Sequence, residues 1–260
     1  MSEPPESPEK KVPAVKPKRL RRSVFVLPSL FTVANIFCGY YAIYLTIKQQ
    51  YHLAAIAIGV AILLDAMDGF IARLTNTSSE FGMQLDSLSD VISFGVAPSV
   101  LVLYWALLPN VDTRLAIASA FTMTLCGAMR LARFNVQSGN RKHFVGLPIP
   151  AAGGTIAAIV YFFREPVTNP MFANVMVAVT FILAFLMVST LRYNSMKGVT
   201  IGKRSHFTVL VIALLFILIF FLPRPTLLIL TISYAVSGPL MKIYAVLRRK
   251  ITSEEPKHAG

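Results

Sequence analysis

Residues 61–96 read AILLDAMDGFIARLTNTSSEFGMQLDSLSDVISFGV. Inside this stretch runs a fixed spacing, Asp65-x2-Asp68-Gly69-x2-Ala72-Arg73-x8-Gly82-x3-Asp86-x3-Asp90. The chain has only 12 acidic residues, and four of them stand here, where two apolar segments meet. A carboxylate in a membrane helix costs roughly 2.5–3.5 kcal/mol on insertion scales, so four together need a compensating partner. A divalent metal supplies one, because ligation offsets the burial penalty. Helix positions three and four apart share a face. Asp65, Asp68, Gly69 and Ala72 therefore form one stripe at the end of one apolar segment, with Arg73 one turn beyond Gly69. Asp86 and Asp90 share a face at the start of the next. The polar stretch 74–85, rich in Ser, Thr and Asn, is expected to let the two helices turn back so that the carboxylates converge.

The rest of the chain decides what surrounds this motif. It has 260 residues, 55% hydrophobic and 14% charged, with mean hydropathy +0.63. That composition excludes a disordered chain and an ordinary soluble domain, and predicts an all-α, polytopic membrane helix bundle. Eight spans are expected, over 24–46, 51–74, 87–108, 114–136, 147–163, 170–190, 206–222 and 225–246. Those at 147–163 and 206–222 are short for the ~20 residues that cross the hydrocarbon core. No internal repeat or second domain is evident. The expected organisation is a basic, disordered cytoplasmic tail over 1–22, a membrane domain over 23–247 and a cytoplasmic tail over 248–260.

The net charge of +13 does not point to nucleic acid, because the basic residues cluster at the ends of apolar segments. The tail carries Lys10, Lys11, Lys16, Lys18, Arg19, Arg21 and Arg22, and no small-residue cleavage site follows a short apolar core as in a signal peptide. With that tail inside, Arg141, Lys142, Arg192, Lys197, Lys203, Arg204, Arg248, Arg249, Lys250 and Lys257 also fall inside. Only Lys48, Arg114, Arg164 and Arg224 fall outside. The asymmetry predicts both termini in the cytoplasm and the acidic motif at the cytoplasmic face. Cys38 and Cys126 lie inside apolar segments and read as packed thiols.

Four carboxylates with no His or Cys nearby suit a hard cation, Mg²⁺ or Mn²⁺. Four exceed what one magnesium usually takes from protein. A pair of ions ~3.5–4 Å apart would use them and clamp a phosphate undergoing displacement. Gly69, Ala72 and Gly82 leave room for a bulky ligand, and Arg73 can pair with phosphate oxygens. Helix capping or pairing with Arg73 would explain one aspartate, but not four at this spacing. A chance match at all eight fixed positions is on the order of 10⁻⁹ per start site.

The string resembles the signature of the CDP-alcohol phosphatidyltransferase family, with every fixed position present. Those membrane enzymes move a phosphatidyl group from CDP-diacylglycerol to an alcohol and release CMP. The resemblance implies that Asp65, Asp68 and Asp86 hold the metals and that Asp90 both contributes to the second metal and acts as general base. It also implies that Gly69, Arg73 and Ser79 contact the CDP-diacylglycerol head group. Asn35, in the Thr32-x2-Asn35-x3-Gly39 run, would face the nucleotide or else make an interhelical hydrogen bond.

Three further strings resemble the phosphatidylserine synthase branch of that family. They are Arg130-Leu131-Ala132-Arg133-Phe134-Asn135, Gly146-Leu147-Pro148-Ile149-Pro150-Ala151-Ala152, and Met187-Val188-Ser189 with Tyr193-x-Ser195-x-Lys197. The resemblance covers residues 24–200 and implies L-serine as acceptor. Arg130, Arg133, Asn135 and Lys197 would then bind that acceptor; snorkelling to the interface is the plainer role for the arginines. The two prolines either break or start the fifth span. Homodimers are common in the family, so by analogy a homodimer is expected here. Rival acceptors are glycerol 3-phosphate and an inositol phosphate. A cation transporter is the rival from another class. The last two spans add nothing to the assignment.

Overall fold

The computed structural model describes residues 23–75, 80–136, 144–193 and 205–253. Among these the chain forms α1 (Ser23–Ile47), α2 (Tyr51–Thr75), α3 (Glu80–Leu107), α4 (Thr113–Val136), β1 (Phe144–Val145), α5 (Ile149–Phe163), α6 (Pro170–Val188), β2 (Arg192–Tyr193), α7 (Ser205–Phe221) and α8 (Pro223–Ser253). Six of these helices, α1, α2, α3, α4, α6 and α8, are long and apolar enough to cross a membrane. The expected short spans are the short helices, α5 with 15 residues and α7 with 17.

Helices α1 and α2 form an antiparallel hairpin. The turn is tight because Gln49 takes a left-handed conformation, φ 58°, and the Gln50 N–H returns to the Leu45 carbonyl at 2.9 Å. The hairpin packs along its length on small residues. Thr32, Asn35, Gly39, Ala42 and Thr46 are the buried stripe of α1; Ala54, Ile58, Ala61 and Asp68 are buried on α2. Close backbone approach through small side chains is how apolar helices associate where the hydrophobic effect offers no drive. The antiparallel register brings Thr32, near the start of α1, beside Asp68, near the end of α2.

The connection after α2 is shorter than the sequence suggests. Helix α2 persists to Thr75 and α3 starts at Glu80, so most of the 74–85 stretch is helical. Glu80 in the first turn of α3 favours this early start, since an acid there complements the helix dipole. Asp86 and Asp90 consequently sit in the second and third turns of α3, not at its beginning.

Helix α3 is interrupted twice by wide turns, Val91–Val96 and Leu103–Leu107. In the first the Ala97 N–H bonds to Ile92 O, and in the second the Leu108 N–H bonds to Leu103 O at 2.9 Å, both five residues back. The first begins immediately after Asp90 and precedes Pro98, which has no N–H to give the ladder. At the same level Gly153 of α5 lets the two backbones touch; a Cβ there would lie 2.7 Å from Phe94 O.

Pro148 and Pro150 start α5. Pro148 caps the helix and Pro150 occupies its first turn. Just before them β1 pairs antiparallel with β2, Phe144 opposite Tyr193 and Val145 opposite Arg192. Gly146, at φ 83°, closes this clasp: its N–H bonds to Leu191 O at 2.8 Å, and the Leu147 N–H to Leu186 O at 3.0 Å. Two of the strings singled out in the sequence, around Gly146 and around Tyr193, therefore bind each other. Cys126 is buried, Cys38 is half-buried, and both are free thiols.

Candidate active site

Helices α2 and α3 bring the four aspartates together. Asp65 and Asp68 stand one turn apart on α2, and Asp86 and Asp90 one turn apart on α3. One carboxylate oxygen from each of Asp65, Asp68 and Asp86 lies within 4.8 Å of the others, and Asp68 is buried. Asp90 is also buried and lies beside Asp65, close enough for the two carboxylates to interact directly. Asp86 Oδ1 and Asp90 Oδ1 are buried without a hydrogen-bond partner. Acids this close, with orphaned buried oxygens, repel one another unless a cation intervenes. An all-oxygen donor set of this kind fits a hard divalent ion. The donors therefore match a metal held by Asp65, Asp68 and Asp86, with Asp90 beside it.

Helix α1 supplies the wall behind the acids. Thr32 Oγ1 donates to Asp68 Oδ2 at 3.3 Å. Ser89 Oγ donates to Thr32 O at 3.4 Å and Ser93 Oγ to Asn35 O at 2.9 Å, which ties α3 to α1 on the face that carries Asp86 and Asp90. Gly39 lies against Ser93, where a Cβ would come within 2.8 Å of its Cα. Thr32 is a site residue whose role sequence reasoning did not name, although it is the first member of the Thr32-x2-Asn35 run. Asn35 is fully buried, and neither end of its side-chain amide has a hydrogen-bond partner. The interhelical bond considered for its side chain runs through its backbone carbonyl instead.

Gly69, one residue past Asp68, has open space where a Cβ would project, as a ligand-facing glycine requires. Ala72 and Arg73 continue α2, and Gly82 lies on α3. Ser79 and Lys197 lie outside the described residues.

On α4 the two arginines separate. Arg130 is within electrostatic reach of Asp90, and its Nε is buried without a hydrogen-bond partner. Arg133 Nη1 donates to Val188 O at 3.3 Å, at the carboxyl end of α6 where a cation suits the exposed carbonyls. Asn135 bonds across to α3, its Nδ2 to Ser87 Oγ at 3.1 Å and to Gln84 Oε1 at 3.3 Å. Helix α8 also reaches this region, since Tyr234 interacts electrostatically with Arg130. No motif in the sequence marks Tyr234.

The chain is similar to several known proteins. Over 195 residues the chain is 37% identical to a CDP-diacylglycerol–serine O-phosphatidyltransferase of Helicobacter pylori, covering 72% of this chain and 80% of that one. It is 39% identical over 179 residues to an archaetidylserine synthase of Methanothermobacter thermautotrophicus, covering 68% and 72%. A CDP-diacylglycerol–serine O-phosphatidyltransferase of Bacillus subtilis is 34% identical over 173 residues, covering 66% and 91%. Residues 25–186 match the CDP-alcohol phosphatidyltransferase family as a whole. With that match, and with all four aspartates gathered where α2 meets α3, the chain belongs to the CDP-alcohol phosphatidyltransferase family.

Proposed function

We propose that this protein transfers the phosphatidyl group of CDP-diacylglycerol to the hydroxyl of L-serine, giving phosphatidylserine and CMP. The observation that carries the chemistry is the meeting of Asp65, Asp68 and Asp86, with Asp90 beside Asp65. Relatives named as serine phosphatidyltransferases at 34–37% identity support the acceptor.

Asp65, Asp68 and Asp86 would hold a divalent metal, Mg²⁺ or Mn²⁺, as one ion or a pair, with Asp90 contributing to the second. When bound it neutralises the diphosphate and the charge that develops on the departing CMP. The chain's own groups do the rest. Gly69 allows the diphosphate close to the α2 backbone, Arg73 pairs with phosphate oxygens, and Ala72, Ser79 and Gly82 complete the head-group surface. The buried, unpaired Asn35 amide serves the nucleotide. Asp90 accepts the serine hydroxyl proton as that oxygen bonds to the phosphorus bearing diacylglycerol. The bridging P–O bond breaks, and its electron pair leaves with CMP. Arg130 orients the serine carboxylate. Arg133 and Asn135 are engaged with α6 and α3 and shape the acceptor side, and Lys197 completes it.

The same reading takes a cell membrane as the location, with eight spans, both termini and the site on the cytoplasmic face, and residues 23–247 as the membrane domain. A homodimer is carried by analogy with the family. The test is an acceptor screen with purified protein, CDP-diacylglycerol and Mg²⁺, reading CMP release. L-serine should drive release well above glycerol 3-phosphate or an inositol phosphate. Preference for either of those would replace the acceptor, and ion flux without CMP release would remove the enzyme.

A further inference from the structure

Helix α8 contains Gly238-Pro239 in its interior. Proline has no backbone N–H, so the carbonyl four residues earlier, that of Ala235, loses its helical donor. Tyr193 replaces it. Its hydroxyl, arriving from β2, donates to Ala235 O at 3.0 Å. The Tyr193 ring is buried in the space that Gly238 leaves open; any Cβ at Gly238 would collide with it. The same ring packs against Tyr234, centroids 5.8 Å apart and planes tilted by 35°. Burial, and then the neighbouring Tyr234, push the Tyr193 hydroxyl up to about 12, so it remains protonated and a donor at neutral pH.

One tyrosine therefore fixes the position of α8 at Tyr234, Ala235 and Gly238. Tyr234 lies within electrostatic reach of Arg130, and Arg130 within reach of Asp90. Tyr234 lies beyond residue 186, where the family match ends. A residue outside the shared part of the fold is well placed to distinguish one acceptor from another, because the metal and nucleotide chemistry is common to the whole family.

We propose that Tyr234 is a specificity-determining residue for the acceptor, its hydroxyl binding the acceptor carboxylate together with Arg130, and that Tyr193 positions it by holding the Ala235 carbonyl. The proposal rests on serine as the acceptor. It makes α8, which carries no recognisable motif, part of the acceptor site.

The experiment uses purified full-length protein with Mg²⁺ in mixed detergent–phospholipid micelles, following CMP release. Tyr234→Phe keeps the ring and removes the hydroxyl. The KM for L-serine should rise about 10-fold or more, as for a lost hydrogen bond to a charged group, while kcat and the KM for CDP-diacylglycerol hold within about 2-fold. Tyr193→Phe should raise the serine KM less. The double variant should be no worse than Tyr234→Phe alone, because both act on one contact. The kcat/KM ratio of L-serine to serine methyl ester, which does not depend on the fraction of folded protein, should fall in Tyr234→Phe. An unchanged serine KM and ester ratio in Tyr234→Phe overturns the proposal. So does a fall in kcat with both KM values shifted together, or additivity in the double variant, since those mark a purely structural role. If the wild type itself ignores serine, the acceptor assignment fails first and is seen without any variant.

Discussion

Thr32 Oγ1 donates a hydrogen bond to Asp68 Oδ2 at 3.3 Å, joining the first helix to the aspartate cluster of the second. The bond ties one Asp68 oxygen to α1, across a hairpin whose turn is closed by the left-handed Gln49. Thr32→Val keeps the shape and removes the donor. Half-maximal activity should then need about 10-fold more Mg²⁺, the scale of a lost hydrogen bond to a carboxylate. A titration of activity against Mg²⁺ measures it, and an unshifted curve would detach Thr32 from the metal site.

Asp90 lies beside the metal-holding acids and has a buried oxygen with no partner. As general base it should be needed even when metal binds. Asp90→Asn should lower kcat by about 10²–10⁴-fold. Mn²⁺ binding, followed by electron paramagnetic resonance, should persist. Near-normal turnover in a folded Asp90→Asn protein would falsify the base assignment.

Removal of metal should abolish activity. A chelator should stop CMP release, Mg²⁺ or Mn²⁺ should restore it, and Zn²⁺ should substitute poorly because every donor is an oxygen. Asp65→Ala, Asp68→Ala and Asp86→Ala should each be nearly inactive. Full turnover in chelator is the result that sinks the metal centre.

The two arginines of α4 should behave differently. Arg130 is within electrostatic reach of Asp90 with its Nε unpaired, while Arg133 donates to the Val188 carbonyl. Arg130→Ala should raise the serine KM by roughly 10- to 150-fold, as for a lost charged hydrogen bond. Arg133→Ala should act mainly on stability. Steady-state kinetics with serine varied, beside a thermal melt of each variant, tells them apart; equal serine KM increases would contradict the assignment.

Gly146 should be intolerant of a side chain. Its φ of 83° disfavours an L residue by roughly 1–2 kcal/mol. A Cβ would also press on the Met187 carbonyl. Gly146→Ala should lower Tm by several degrees, at about 2–4 °C per kcal/mol for a chain of this size. An unchanged Tm would mean that the β1–β2 clasp is not needed for the fold.

Much of this protein is written locally, and local signals survive without tertiary knowledge. Apolar runs of about twenty residues mark the helices because the hydrocarbon core sets their length. Asp65, Asp68, Asp86 and Asp90 announce themselves because a carboxylate is costly in such a run and the spacing sets each pair on one helix face. Pro148 and Pro150 mark the start of α5 through a missing N–H. The strings around Arg130, Gly146 and Tyr193 carry the resemblance to the serine branch.

What the sequence could not determine depends on how one helix is turned and set against another. Arg130 and Arg133 stand one turn apart and look alike in sequence; only the packing of α4, with Gly127 close against Ile149, leaves Arg130 within electrostatic reach of Asp90 and Arg133 on the Val188 carbonyl of α6. The wide turn after Asp90 lies against the backbone of Gly153, a residue far away in the chain. The pairing of β1 with β2, the bond from Thr32 to Asp68 and the arrival of Tyr234 beside Arg130 all join segments distant in sequence. Sequence periodicity states which face a residue occupies on its own helix. Only close packing between helices decides which neighbour that face meets.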